Sequence, residues 1–417
     1  MVAQAALRGA RPCCERNTMT SKTRLSILLV STPVLAFVLV GGLLGNALAG
    51  TDDDTFRHLK VFRDVVNLVK SNYVEEVNFD KVMEGAMRGM AESLDPDSAY
   101  LTPEQLKDVE SRAPQPEGDL GLELTRQYYL RIIAARDGSP AAQAGLQTGD
   151  YVRAIDGQST RDVSVFEGTR LLRGAPGSKV VLTIIRGNAA DPHEVTLVRE
   201  KLTASSTTAK MLGTDIGYIR IPAFTTKTAA EIKQQAADLE RQGAKSLLVD
   251  LRRTAEGSID DGIAAAKLFV ASGTLAQKAA RAPAGQKEPV KEPIAATRGD
   301  GSVTLPVQLL VSAGTSGAAE VFAAALDGNK RADLVGEHTI GRAAEQKLVK
   351  LSDNRGLWLT YLRYYTPGGQ LIHGAGLDPD VPVNEPDPEF GAKLAEADPL
   401  LDEAVRRVRS GTLLQKK

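Results

Sequence analysis

Ser312 and Ser316, then His338, then Lys347 fall within one short stretch of this chain. A hydroxyl beside a neutral nitrogen base can attack a carbonyl, provided that donors stand ready for the oxyanion that develops. The local pattern offers such donors. Residues 307–311 read as a strand, 312–317 as a loop of small residues, and 318 to about 326 as a helix carrying Glu320 in its first turn. A helix N-terminus turns unpaired N–H groups and the positive end of its dipole towards an anion. A plainer role competes for Ser316, which as a loop serine caps the helix that follows. Residues 327–329 end that helix, and the apolar run 332–335 leads on to Gly336, Glu337, His338 and Arg342.

A site of this kind needs rigid elements under it. Residues 216–221 and 246–252 read as strands, 226–242 as a helix with Ala229, Ile232, Ala236 and Leu239 on one face, and 260–271 as another helix. Strand, helix, strand, helix implies an α/β core with crossover connections, here over 202–387. Residues 277–301, rich in Lys, Ala and Pro, are expected to form a loop or lid of low order. Residues 358–365 return as a strand, and the tail, 388–417, holds a helix from 398 to 409. Ahead of the core, 118–201 alternates short apolar bursts with Gly and Asp turns, the pattern of a small β-rich domain. Residues 51–112 read as mainly helical, their methionines serving as core packing.

Charge and cysteine usage narrow the classes. The net charge is −1 over 417 residues, and no basic run is interleaved with aromatics, which argues against nucleic acid. Cys13 and Cys14 are adjacent and have no other cysteine to pair with. His58, His193, His338 and His373 are scattered without ligand spacing, so neither metal nor cofactor is expected. In residues 19–50, Lys22 and Arg24 precede an apolar run over 25–44 and the small-residue sequence Ala47-Leu48-Ala49. This is an export signal, either cleaved or kept as an inner-membrane anchor, and it places the remainder in a periplasm.

The stretch 311–346 resembles the catalytic segment of the carboxyl-terminal processing (tail-specific) serine peptidases, which use a Ser nucleophile and a Lys base. Glu320, the run Gly336-Glu337-His338-Thr339-Ile340-Gly341 and Gln346 match the family pattern, but its Ser falls on Gly317 and its Lys on Arg342. Glycine has nothing to attack with, and arginine does not give up its proton in a protein. The resemblance also implies an oxyanion region formed by Ala318, where the helix opens, and by the loop after Asp250-Leu251-Arg252. There Gly257 matches but Glu256 stands where a carboxylate would oppose the developing charge. Residues 73–75, 85–90 and 93–102 resemble the N-terminal helical segment of the same family.

Residues 139–150 and Ile155-Asp156-Gly157 resemble a PDZ domain, whose sheet edge takes a peptide strand and whose loop takes the terminal carboxylate. The matching loop is 118–122, with Leu120, Gly121 and Leu122 as peptide-binding residues and the two leucines lining an apolar pocket. Asp119 is an odd neighbour for a carboxylate. The resemblance thus implies a ClpP/crotonase-like α/β core with an inserted PDZ domain and an N-terminal helical segment. It implies an envelope protein that binds protein C-termini and is proteolytically inactive, with an active paralogue or another envelope protein as a further partner. The alternative is an active serine endopeptidase with a displaced nucleophile, Ser316 or Ser312, served by Lys347 or His338.

Overall fold

The computed structural model describes residues 52–111, 114–187, 191–203, 205–386, 389–391 and 397–410. The expected export segment lies outside the described residues. The chain divides into two compact units, 1–84 and 85–417. In the first, Asp52–Asn72 is one helix, and Phe56, Leu59, Val65 and Leu68 are exposed along it. Among the described residues no helix is long and apolar enough to cross a membrane, and no group of three or more His, Cys, Asp or Glu could hold a metal ion.

The second unit is built on a six-stranded sheet in the order Thr208–Leu212, Ile216–Arg220, Ser246–Asp250, Val307–Val311, Ala332–Gly336, Val381–Pro382. The first strand is antiparallel to its neighbour and the others are parallel. Ser246–Asp250, Val307–Val311 and Ala332–Gly336 are buried at every position. A parallel sheet covered on both faces therefore shows runs such as Leu247-Leu248-Val249 instead of alternation. Helix Thr228–Arg241 makes the first crossover, and helix Ala318–Gly328 returns the chain from Val307–Val311 to Ala332–Gly336. The latter helix is buried from Ala318 through Leu326, which explains its alanines. A Cβ on Gly262 would sit 2.6 Å from the Ala318 carbonyl oxygen, so helix Ile259–Ala266 meets it backbone to backbone.

An antiparallel sheet lies beside this core. Its long strand, Gly356–Tyr365, pairs with Ala99–Leu101, Ala344–Lys350 and Thr274–Ala280, and the last of these pairs with Glu292–Ala295. The low-order loop expected over 277–301 is thereby corrected to a hairpin. The sequence 274–280 has weak strand preference of its own, and the pairing with 362–365 imposes the conformation. Pro293 is tolerated because Glu292–Ala295 ends the sheet.

Residues 118–201 hold a six-stranded antiparallel sheet in the order Leu122–Gln127, Tyr129–Ala135, Tyr151–Ile155, Lys179–Ile185, His193–Val198, with Gln158–Ser159 pairing with Tyr151–Ile155 off that path. Two helices cover it, Pro140–Gln143 capped by Ser139 and Val165–Leu172 capped by Ser164. Leu124, Leu130, Ile132, Val152, Leu182 and Ile184 form its core. Gly118–Asp119 pairs with Glu200–Lys201, closing the module where the chain enters and leaves it. Strand Leu122–Gln127 ends its sheet and pairs on one side only.

Candidate functional site

The turn between strand Val307–Val311 and helix Ala318–Gly328 is sharp. Gly317 has φ 58° and ψ −111°, the strained region in which nucleophile elbows hold their serine. A Cβ built there meets only the Arg342 carbonyl oxygen, at 3.9 Å. The elbow is thus formed, with open space where a nucleophile's side chain would stand. Glycine occupies this φ without the strain a side chain would bring.

Glu320 holds the elbow shut. Its Oε2 accepts from the N–H groups of Gly317 (2.9 Å) and Arg342 (2.7 Å), and its Oε1 from the Gly341 N–H (2.6 Å) and the Thr339 hydroxyl (2.5 Å). The residue is 0% exposed. Burial pushes its carboxyl above the usual range, while the four donors pull the other way. Spacing suggested only a favourable charge in the first helical turn. The structure makes Glu320 the bolt between the elbow and the 339–342 loop.

Arg342 points away from any role as a base. Its Nη2 and Nε donate to the two oxygens of Asp97 at 2.5 and 3.2 Å, and its Nη1 donates to the Leu124 carbonyl at 3.0 Å. Burial works against its charge, but Asp97 outweighs that and holds the guanidinium protonated above its ordinary range. One side chain from the core thereby grips the 95–98 turn and the end strand of the β-rich module. Residue order does not mark Asp97 and Leu124 as partners of this site. The Asp95-Pro96-Asp97 run reads as a turn, and nothing local marks its partner 245 residues away.

The other expected site residues are spread around this centre. Ala318 is buried at the start of the helix. Ser316 is 2% exposed and its N–H donates to the Thr254 carbonyl at 3.0 Å, which brings the 253–256 loop against the elbow. Ser312 Oγ accepts from the N–H groups of Arg253 and Gly314, both at 3.2 Å. Lys347 lies 5.0 Å over the Tyr361 ring, and His338 Nδ1 is 2.7 Å from Asp378. Among the described residues no hydrogen bond joins either serine to an amine or imidazole. Gln346 donates to the Thr360 hydroxyl at 3.2 Å. His373 is buried with its Nδ1 unpartnered among the described residues, and burial lowers its pKa.

Glu256 does not stand as a bare charge. Its carboxylate pairs with Arg136 at 3.4 Å, so the opposition expected of it is offset by a cation. Gly257 pairs with Phe224 in a short parallel ladder. Any Cβ there would lie 2.2 Å from the Phe224 carbonyl oxygen, which requires glycine.

The peptide-binding residues also need a correction. Leu120 is 0% exposed and belongs to the core of the β-rich module, so it lines no open pocket. Leu122 packs in that core and reaches the wall of a cavity of about 300 Å³, together with Asp119, Glu123, Arg136, Arg173 and Glu256. Gly121, at φ +74°, passes so close to Ser139 that a Cβ would meet its Cβ at 2.4 Å. The N–H groups of Leu120 and Gly121 both donate to Asp119 Oδ1, at 2.6 and 3.0 Å. Glu123, unremarked in the sequence, is half-buried between the charges of Arg342, Glu256, Asp119 and Arg173. Burial pushes its pKa up to about 7.

Known proteins supply the context for this geometry. Residues 215–383 match the model of peptidase family S41, 131–186 that of a PDZ domain, and 46–105 that of the activating protease CtpB N-terminal domain. The chain is 31% identical over 343 residues to a carboxy-terminal-processing protease of Bartonella bacilliformis, covering 81% of this chain and 78% of that one. It is also 31% identical over 374 residues to a carboxyl-terminal-processing protease of Synechocystis, covering 88% and 85%. Among solved structures, the photosystem II D1 C-terminal processing protease superposes with a TM-score of 0.64 at 26% identity, over 79% of this chain and 95% of that one. This chain carries a PDZ domain and belongs to peptidase family S41, with the carboxy-terminal-processing proteases.

Proposed function

We propose that this protein is a non-proteolytic member of its family that holds protein C-termini in the cell envelope through its PDZ domain. The observation that carries this reading is the elbow, which keeps its strand, turn and helix around a residue with no side chain. Hydrolysis by a Ser/Lys pair needs an oxygen that attacks and an amine that can lose its proton. Gly317 offers no oxygen, and Arg342 is a permanent cation committed to Asp97. The ClpP/crotonase-like core belongs to the same reading and draws support from the run of parallel strands with helical crossovers. Export rests on the apolar run 25–44 and the small residues before 50.

The test is to incubate the full chain with unfolded casein and follow the products by mass spectrometry. No cleavage is expected. Cleavage that disappears in Ser316→Ala would overturn the reading in favour of a displaced nucleophile. Gly317→Ser with Arg342→Lys sharpens the test, because Asp97 beside the new lysine stabilises its charged form. The double variant should stay silent until Asp97→Asn is added.

A further inference from the structure

Resting on the reading that the PDZ groove takes protein C-termini, we infer that the groove holds a carboxylate of its own and that Asp119 decides which termini enter. A peptide C-terminus is recognised by backbone N–H groups that converge on its carboxylate, while its strand adds to the edge of the sheet. Here the N–H groups of Leu120 and Gly121 already converge on one oxygen, Asp119 Oδ1. The other oxygen, Oδ2, lies 3.3 Å from Arg173 Nε. One oxygen is thus hydrogen-bonded as that of a bound terminus would be, and the other lies beside a cation without a hydrogen bond to it. On the same end strand the Leu124 carbonyl is taken by Arg342, so an acceptor on that strand is occupied too.

The occupant is exchangeable. The Asp119 side chain is 26% exposed and borders the cavity of about 300 Å³ that also reaches Leu122, Arg136 and Arg173. A displaced carboxylate can turn to solvent, and Arg173 remains to meet the incoming one. Because Asp119 is tethered beside the N–H groups, it competes at a high effective concentration. Free C-termini bind only when their remaining contacts outweigh it. Termini without a carboxylate gain nothing from its removal.

The experiment measures binding of a short fluorescent peptide ending in Leu-Ala-Ala, as the free acid and as the amide, to the full chain and its variants. Asp119→Ala should bind the free acid at least about tenfold more tightly than the unaltered chain, the size expected for charge-assisted hydrogen bonds released to a ligand. The amide should not gain. Asp119→Asn keeps an acceptor without the charge and should gain less in the same direction, which guards against misfolding of the alanine variant. Equal binding of the free acid by all three chains would overturn the inference and leave the C-terminus reading standing. Equal gains for acid and amide would also overturn it. If no folded chain binds either peptide, the C-terminus reading falls and the inference with it.

Discussion

Two loops in this molecule gather backbone N–H groups around a carboxylate of the chain itself, and they differ in how tightly they hold it. At the elbow, Glu320 is fully buried and accepts four donors drawn from residues 317 to 342. In the PDZ loop, Asp119 is partly exposed and accepts two, both from the residues directly after it. Burial separates the roles. Removing a buried acceptor strands its donors in an apolar interior, whereas solvent replaces an exposed one. The first carboxylate is architecture, and the second can be traded for a ligand.

The strongest way to break this contrast is Glu320→Ala. It orphans three backbone N–H groups and a hydroxyl, and should cost about 4 kcal/mol in urea denaturation. A loss below about 1 kcal/mol would mean that the loops are alike. Next comes Gly317→Ser. The space is open, but a side chain at φ 58° and ψ −111° carries strain of about 2 kcal/mol. A drop in melting temperature with the fold kept is the expected result, and an unchanged melting temperature would show that the elbow is not strained.

A smaller effect comes from Glu123, beside the PDZ loop. Its folded pKa of about 7 lies above the unfolded value near 4.5, so the folded state binds the extra proton between those values. That stability is fully present below about pH 4.5 and is lost as pH rises through about 7. Glu123→Gln should therefore flatten the melting profile and stabilise the chain at pH 8 by about 1 kcal/mol, after allowing for solvent screening. A profile that keeps its slope would remove Glu123 as its source. The smallest change is expected for Asp119→Ala, within about 0.5 kcal/mol in denaturation, even though peptide binding rises. A large loss would put Asp119 in the same class as Glu320.

Much of this was legible in residue order. The apolar runs of the parallel strands, the small residues of the elbow and the glycines of the PDZ loop are local requirements of backbone and burial. They mark the fold without any partner being known. The absence of a side chain at 317 and of a titratable amine at 342 is likewise a fact of the residues themselves.

Other features were out of reach. The hairpin at 274–295 was hidden because its strand preference comes from the neighbour it pairs with. The burial of Leu120 depends on how the chain turns into the module's core directly after the two-residue strand Gly118–Asp119. The Arg136–Glu256 and Arg342–Asp97 pairs join residues far apart in the chain. The residues by themselves determined that the elbow carries neither a nucleophile nor a proton acceptor, since that is a matter of which atoms are present. Only the tertiary structure decided what Arg342 grips and what Asp119 covers, since an ion pair or hydrogen bond exists only once folding has brought its two ends within about 3 Å.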